Sequence, residues 1–232
     1  LMAQLDFYPD VLHAHDWQSA LSVVYLNCLY RNKPGYDKIK TVFTIHNIEY
    51  QGKYDFSILG DVFALGNEHH ELMEYDGCIN LMKAAIVSAD AVSTVSPRYA
   101  EEILSPEYAH GLHHCLRNHQ GKLCGILNGI DYDLYNPETD PIIAANYSAK
   151  APAKKAANKK ALQEALALPV REDVPMIALI SRLVAHKGLD LFTPIADKLL
   201  EQDIQLIVLG MGDEKYEDFM HGLEGRHRDK AR

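Results

Sequence analysis

The apolar positions fall into two patterns: short runs that read as strands, and longer stretches with helical spacing. Asp10 to His15, D-V-L-H-A-H, reads as a short strand. Trp17 to Tyr30 reads as a helix, with Leu21, Val24, Tyr25 and Cys28 on one face and Asp16 as its N-cap. Pro34 and Gly35 break that pattern, and Thr41 to Ile45 follows as a β-branched strand emptying into a polar loop, His46 to Lys53. Asp55 to Gly77 reads as one or two short helices and Ile79 to Ser88 as another. Ala91 to Val95 is strand-like and runs into Ser96-Pro97, a proline placed to start a helix through Tyr99 to Leu104. Leu112 to His119 reads as helix and Leu123 to Leu127 as strand. Asn136 to Ala157 carries three prolines and few large apolar residues, and Asn158 to Leu168 is a lysine- and alanine-rich helix. Met176 to Ile180 is a continuous apolar run of the kind a fully buried parallel strand shows. After Gly188, residues Leu189, Phe192, Ile195, Ala196 and Leu199 recur at helical spacing, then Ile204 to Leu209 forms a sixth strand and a helix starts at Glu214. Strands alternating with helices predict parallel α/β sheets, in two units joined near residue 128, the second with two strands.

Composition narrows the function class more than the fold. A chain of 232 residues with 47% hydrophobic residues can bury a core in one large or two small domains. A net charge of −9 argues against non-specific nucleic-acid binding, which needs a basic face. No apolar run reaches the length of a membrane span. Cys28, Cys78, Cys115 and Cys124 form no C-x-x-C pair and read as free, mostly buried thiols of an intracellular protein. The abrupt start at Leu1 and the charged stretch from His221 to Arg232 lead to the expectation of a segment from a longer protein.

Parallel sheets bind ligands at the carboxyl ends of their strands. The six ends here deliver His13, His15 and Asp16; His46, Asn47 and Gln51; Ser96; Asn128 and Asp131; Arg182 and Lys187; and Gly210, Gly212 and Asp213. Arg182 and Lys187, between a strand and a helix N-terminus, suit an anion, and equally read as solvated loop cations. His13 and His15 put two imidazoles on one strand face, which raises a metal reading with His46, Asp16, His69-His70 or His113-His114 as further ligands. Against it stands a plainer one: His13 packed in the sheet, His15 at a pocket edge, and the two histidine pairs on helix surfaces. G-M-G-D lacks the third glycine of a dinucleotide fingerprint, and neither a G-x-S-x-G elbow nor a Walker loop occurs.

Six blocks in order resemble bacterial glycogen and starch synthases: D-V-L-H-A-H-D-W, T-I-H-N-I-E-Y-Q-G, S-T-V-S-P-R-Y-A-E-E-I, L-N-G-I-D-Y, S-R-L-x-x-x-K-G-L-D-L and L-G-M-G-D. The resemblance implies the GT-B fold, two Rossmann-like parallel-sheet domains facing across a cleft. Both would be incomplete here, with residues 1–127 in the acceptor-side domain and 128–232 in the nucleotide-sugar domain. It implies a retaining, cytoplasmic hexosyltransferase of glycogen biosynthesis that moves glucose from ADP-glucose to the non-reducing end of an α-1,4-glucan. No metal or other cofactor, nucleic acid or membrane is implied; the partners are ADP-glucose, ADP and the glucan. By position, Arg182 and Lys187 match the cations on the donor diphosphate and His46 the histidine at the donor glucose. Asp16 matches the acid on the acceptor side, Asn128 the asparagine at the domain junction, and Gly210 and Gly212 the glycine turn near the nucleotide.

The sequence departs from that pattern in places. Gln18 stands where many members have histidine, and the family's K-T-G-G-L and E-P-C-G-L segments are not in the chain. Little or no transferase activity is therefore expected of the 232 residues alone, an expectation that strong glucose incorporation from ADP-glucose would overturn. Three other readings remain: a UDP-glucose-using enzyme of the same fold, a metal-dependent hydrolase on His13, His15 and Asp16, and a non-catalytic carbohydrate-binding fragment.

Overall fold

In the computed structural model, which describes residues 2–232, contacts divide the chain into Leu1–Gly129 and Ile130–Arg232. The first unit opens with a single helical turn, α1 (Met2–Leu5), and β1 (Val11–His15). Helix α2 (Asp16–Tyr25) follows without a loop, buries Ala20, Val23 and Val24 at helical spacing, and ends in a π-type turn over Leu26–Tyr30. β2 (Lys40–Ile45) leads through a loop to β3 (Lys53–Tyr54), and the short helices α3 (Ile58–Asp61) and α4 (His70–Met73) precede β4 (Glu74–Tyr75) and β5 (Cys78–Asn80). Helix α5 (Leu81–Ser88), β6 (Ala91–Thr94), α6 (Pro97–Glu102), α7 (His113–Asn118) and β7 (Leu123–Gly125) complete it.

Strands β1, β2, β6 and β7 form a parallel sheet in the order β1-β2-β6-β7. Its register sets His15 beside Thr44, Thr44 beside Ser93 and Ser93 beside Cys124, so these four side chains share one face. Ala14, Phe43, Ile45 and Val92 are buried in the core with residues of α2 and α5. On the alternate positions of β1, Val11, His13 and His15 are exposed. His13 is therefore not packed inside the sheet, contrary to the plainer reading of its sequence.

Three further sequence readings are corrected here. Asp16 does not cap α2: it lies inside the first turn at φ +53°, and no side chain caps that helix. Residues 78–80 are a strand rather than the start of a helix, and they centre a small antiparallel sheet ordered β3-β5-β4. Strands of two and three residues are too short to show alternation. The Asp76-Gly77 turn between β4 and β5, with both residues at positive φ, is nonetheless a hairpin signal. The strand after Lys122 stops at Gly125, two residues short of the expected end.

The second unit contains α8 (Lys155–Ala165), β8 (Met176–Ile180), α9 (Leu189–Phe192), α10 (Ala196–Glu201), β9 (Gln205–Leu209) and α11 (Glu214–Arg226). The helix expected after Gly188 is broken into α9 and α10 by a 3₁₀ turn at Thr193–Ile195, where Pro194 lacks the N–H a continuous helix would use. β8 and β9 pair in parallel, and Leu206 packs with Ala196, Leu200, Leu223 and Ala231. Within the 232 residues, Ile177, Ala178 and Ile180 of β8 are exposed. Burial of a parallel strand comes from its neighbours on both faces and edges, and only one strand flanks β8.

Candidate active site

In the first unit, three sequence blocks meet at the carboxyl ends of β1, β2 and β6. Asp16 Oδ1 accepts hydrogen bonds from the backbone N–H of His46 at 2.7 Å and of Asn47 at 3.3 Å. Its carboxylate thus fixes the start of the loop after β2 instead of its own helix. A non-glycine residue at positive φ is uncommon, and such strain persists where surrounding contacts hold it. Trp17 reaches the far end of the same loop. Gly52 sits at φ +66°, and a Cβ added there would lie 2.7 Å from Trp17 Cε3, so the indole needs a glycine beneath it.

Inside the loop, Gln51 is buried and donates to the carbonyls of Ile48 and His110, while Asn80 Nδ2 donates to Gln51 Oε1 at 2.7 Å. Asn80 Oδ1 in turn accepts from Lys83 N and caps α5. The backbone N–H of Ile48 donates to the Tyr99 hydroxyl at 3.3 Å, and Ser96 caps α6 by accepting from Tyr99 N. The phenol of Tyr99 is pushed to a higher pKa by its burial, which keeps it neutral. Tyr99 and Asn80 escape a sequence reading, although Asn80 before an apolar run is itself an N-cap signal.

Three imidazoles line the same corner. The His13 and His15 ring centroids are 4.1 Å apart, those of His15 and His46 5.2 Å, and His15 Nδ1 lies 3.0 Å from His46 Nε2. His13 Nε2 is 2.7 Å from Thr44 Oγ1, which shares a 2.6 Å hydrogen bond with Ser93 Oγ. Burial lowers the His13 pKa, and the His15 and His46 rings lower it further. Among the described residues, no three His, Cys, Asp or Glu side chains are grouped to hold a metal ion. The histidines contact one another and Thr44 instead of converging on a common point. His113 is half-buried, with its Nδ1 unpartnered among the described residues, and His70 stacks on Phe56.

In the second unit the strand ends are joined by backbone. Ser181 N donates to the Leu209 carbonyl, Leu183 N to that of Met211 at 2.8 Å, and Asp213 N to that of Leu183 at 2.8 Å. The two segments run so close that a Cβ at Gly210 would overlap the Ser181 carbonyl oxygen, and one at Gly212 the Leu183 carbonyl. Both glycines are therefore demanded by the crossing itself. Gly212 N donates to Glu217 Oε1 in the first turns of α11. Arg182 and Lys187 are exposed, and neither side chain has a hydrogen bond or ion pair among the described residues. Lys187 is followed by Gly188 at φ +80°, which turns the chain into α9. Asn128 is exposed beyond β7, and Asp131 Oδ1 accepts from Asp133 N and Leu134 N in a local turn. All four cysteines are free, with Cys124 exposed, and no described helix is long and apolar enough to cross a membrane.

The chain is similar to known proteins over its whole length. It is 45% identical over 233 residues to the glycogen synthase of Desulforamulus reducens, covering 100% of the chain and 48% of that protein. It is 46% identical over 220 residues to the glycogen synthase of Streptococcus mutans, covering 94% of the chain and 46% of the relative. The chain thus spans about half the length of the curated relatives it matches. Among solved structures, the catalytic domain of starch synthase IV from Arabidopsis thaliana, bound to ADP and acarbose, superposes with a TM-score of 0.89 at 36% identity. That match covers 100% of the chain and 48% of the other. The fold is accordingly the α/β, Rossmann-like one of these glycosyltransferases. The family model described as the starch synthase catalytic domain matches residues 1–118, just over half of the 232, and the chain belongs to that family.

Proposed function

We propose that this chain carries donor- and acceptor-side elements of a glucan synthase that transfers glucose from ADP-glucose to the non-reducing end of an α-1,4-glucan with retention of configuration. The observation that carries this reading is the state of Arg182 and Lys187. Two exposed cations without partners among the described residues sit where β8 gives way to α9, beside a glycine crossing that brings the backbone of residues 210–213 to the same strand ends. A cation already paired within the chain would be a poor phosphate ligand, and these two are free to take one. Family membership and the ADP and acarbose bound to starch synthase IV support a nucleotide and an α-glucan as ligands.

Breaking the glucose–phosphate bond leaves negative charge on ADP, and Arg182 and Lys187 stabilise that charge as it grows. Removing one such donor costs on the order of 10²-fold in rate. Gly210 and Gly212 shape the turn beside the nucleotide. His46 contacts the donor glucose, Asn128 lies near it, and Asp16 serves the acceptor side. Asp16 does so partly by holding the backbone of His46, since its Oδ1 is already engaged there.

Calorimetry with ADP and UDP on the chain, and on Arg182→Ala and Lys187→Ala, tests the assignment. ADP is expected to bind more tightly than UDP, and each substitution to weaken it by about tenfold or more, as loss of a charge-assisted contact would. Unchanged affinity in both variants would remove the diphosphate role. Tighter UDP binding would move the donor to UDP-glucose.

A further inference from the structure

We propose that His15 is a positioning residue that holds the imidazole of His46 and dictates which ring nitrogen His46 offers to a ligand. The identity of that ligand rests on the transferase reading; the hold itself does not.

His15 Nδ1 and His46 Nε2 lie 3.0 Å apart and share one hydrogen bond. One proton serves both atoms, so Nε2 of His46 is occupied and Nδ1 is the nitrogen left for a sugar hydroxyl. A neutral imidazole has one donor and one acceptor nitrogen, and the bond made by one fixes the role of the other. The backbone at both ends of the pair is fixed separately. Ser19 Oγ bonds the N–H and the carbonyl of His15, each at 2.6 Å, and Asp16 Oδ1 holds the N–H of His46 at 2.7 Å. Neither anchor constrains an imidazole, so the ring of His46 depends on His15.

The ring of His15 is itself backed. His13 stacks against it with centroids 4.1 Å apart and planes 31° apart, and His13 Nε2 is bonded to Thr44 Oγ1, which is bonded to Ser93 Oγ. Thr44 and Ser93 are buried. A row of contacts therefore runs from a buried hydroxyl on β6 to an exposed imidazole beyond β2. The parallel register builds it, because His13, His15, Thr44 and Ser93 share one sheet face.

The test uses the chain with ¹³C,¹⁵N-labelled histidine rings. In the unsubstituted chain a ¹⁵N–¹⁵N coupling across the hydrogen bond is expected between His15 Nδ1 and His46 Nε2, whichever of the two atoms carries the proton. His15→Phe keeps a ring against His13 but has no nitrogen, and the His46 ring should become mobile in ¹³C relaxation. His15→Asn, whose amide falls near the place of Nδ1 and can donate or accept, should restore the ordered ring. His119, bonded through Nδ1 to the Cys115 carbonyl, reports whether each variant is folded. Should His15→Phe not fold, the coupling in the unsubstituted chain decides. No coupling there, or a His46 ring unmoved by His15→Phe, overturns the proposal. ADP-glucose, but not ADP, should then shift His46 Nδ1, and that shift should vanish in His15→Phe. If the coupling and the ordered ring are found and neither ligand moves His46, the transferase reading fails while the hold of His15 on His46 stands.

Discussion

The two sets of strand ends are built in opposite ways. In the first unit nearly every polar side chain at the ends of β1, β2 and β6 is already spent on the protein. Asp16 holds His46 and Asn47, Gln51 and Asn80 hold each other and the loop backbone, and Tyr99 holds Ile48. In the second unit the shape is set by backbone contacts and two glycines, and Arg182 and Lys187 are left without partners among the described residues. The first arrangement ties its polar groups to the protein's own backbone and side chains. The second leaves charge available, at little cost, because exposed cations stay hydrated until a ligand arrives. Hydrogen-bonding capacity is thus largely used at the first set of strand ends and left open at the second.

Substitutions can break that contrast, and the largest effect is expected where backbone meets backbone. Gly210→Ala sets a methyl against the Ser181 carbonyl and should destabilise the chain by about 3 kcal/mol, read as a shift in denaturant midpoint. A loss below about 1 kcal/mol would mean the crossing can open. Next comes Asn80→Ala, which leaves Gln51 Oε1 buried without its donor and removes the cap of α5. The expected loss is roughly 2–3 kcal/mol. Asp16→Ala releases two backbone N–H groups from a carboxylate and should cost about 2 kcal/mol. Faster amide exchange confined to residues 46 and 47 would localise the damage.

A smaller effect should appear with pH. The His13 pKa is lowered below its ordinary value of 6.5, so the unfolded chain takes up that proton first. Stability from this group is complete above about pH 6.5 and is lost as pH falls through that value toward the folded pKa. His13→Gln should flatten this part of the acid slope in thermal melts. The smallest change in stability belongs to Arg182→Ala and Lys187→Ala, within about 0.5 kcal/mol of the unsubstituted chain. A large loss in either would show that these cations are structural and would erase the contrast.

Much of this was legible in the residues and some was not. The alternation of strand and helix signals gives the two parallel sheets, because helical spacing survives in α2 and α11 and short β-branched or apolar runs mark β2, β8 and β9. Asp16 was misread because an aspartate before an apolar run carries the same signature whether it caps its own helix or a neighbouring loop. Telling these apart takes a contact 30 residues away. The antiparallel sheet of β3, β5 and β4 was lost because strands of two or three residues are too short to show alternation. Met176 to Ile180 shows what composition reports: an apolar run marks what could be buried, and within these 232 residues one strand flanks it. Residue types at strand ends suggested an anion near Arg182 and Lys187, while the roles proposed for His46 and Asn128 come only from resemblance. The pairing of His15 with His46 could not be read at all, since it depends on the register of β1 against β2.

The left-handed backbone of Asp16 limits how its corner of the molecule can be re-engineered. At φ +53° glycine, asparagine and aspartate sit most easily, and for other residues the conformation costs roughly 1–2 kcal/mol. Glycine would relax the twist but let the histidine loop go; asparagine would keep the twist and one neutral acceptor. Glutamate would preserve the charge yet carry it a methylene too far on a main chain that resists it. A saturation library at this position should therefore sort first by conformational tolerance and only afterwards by chemistry.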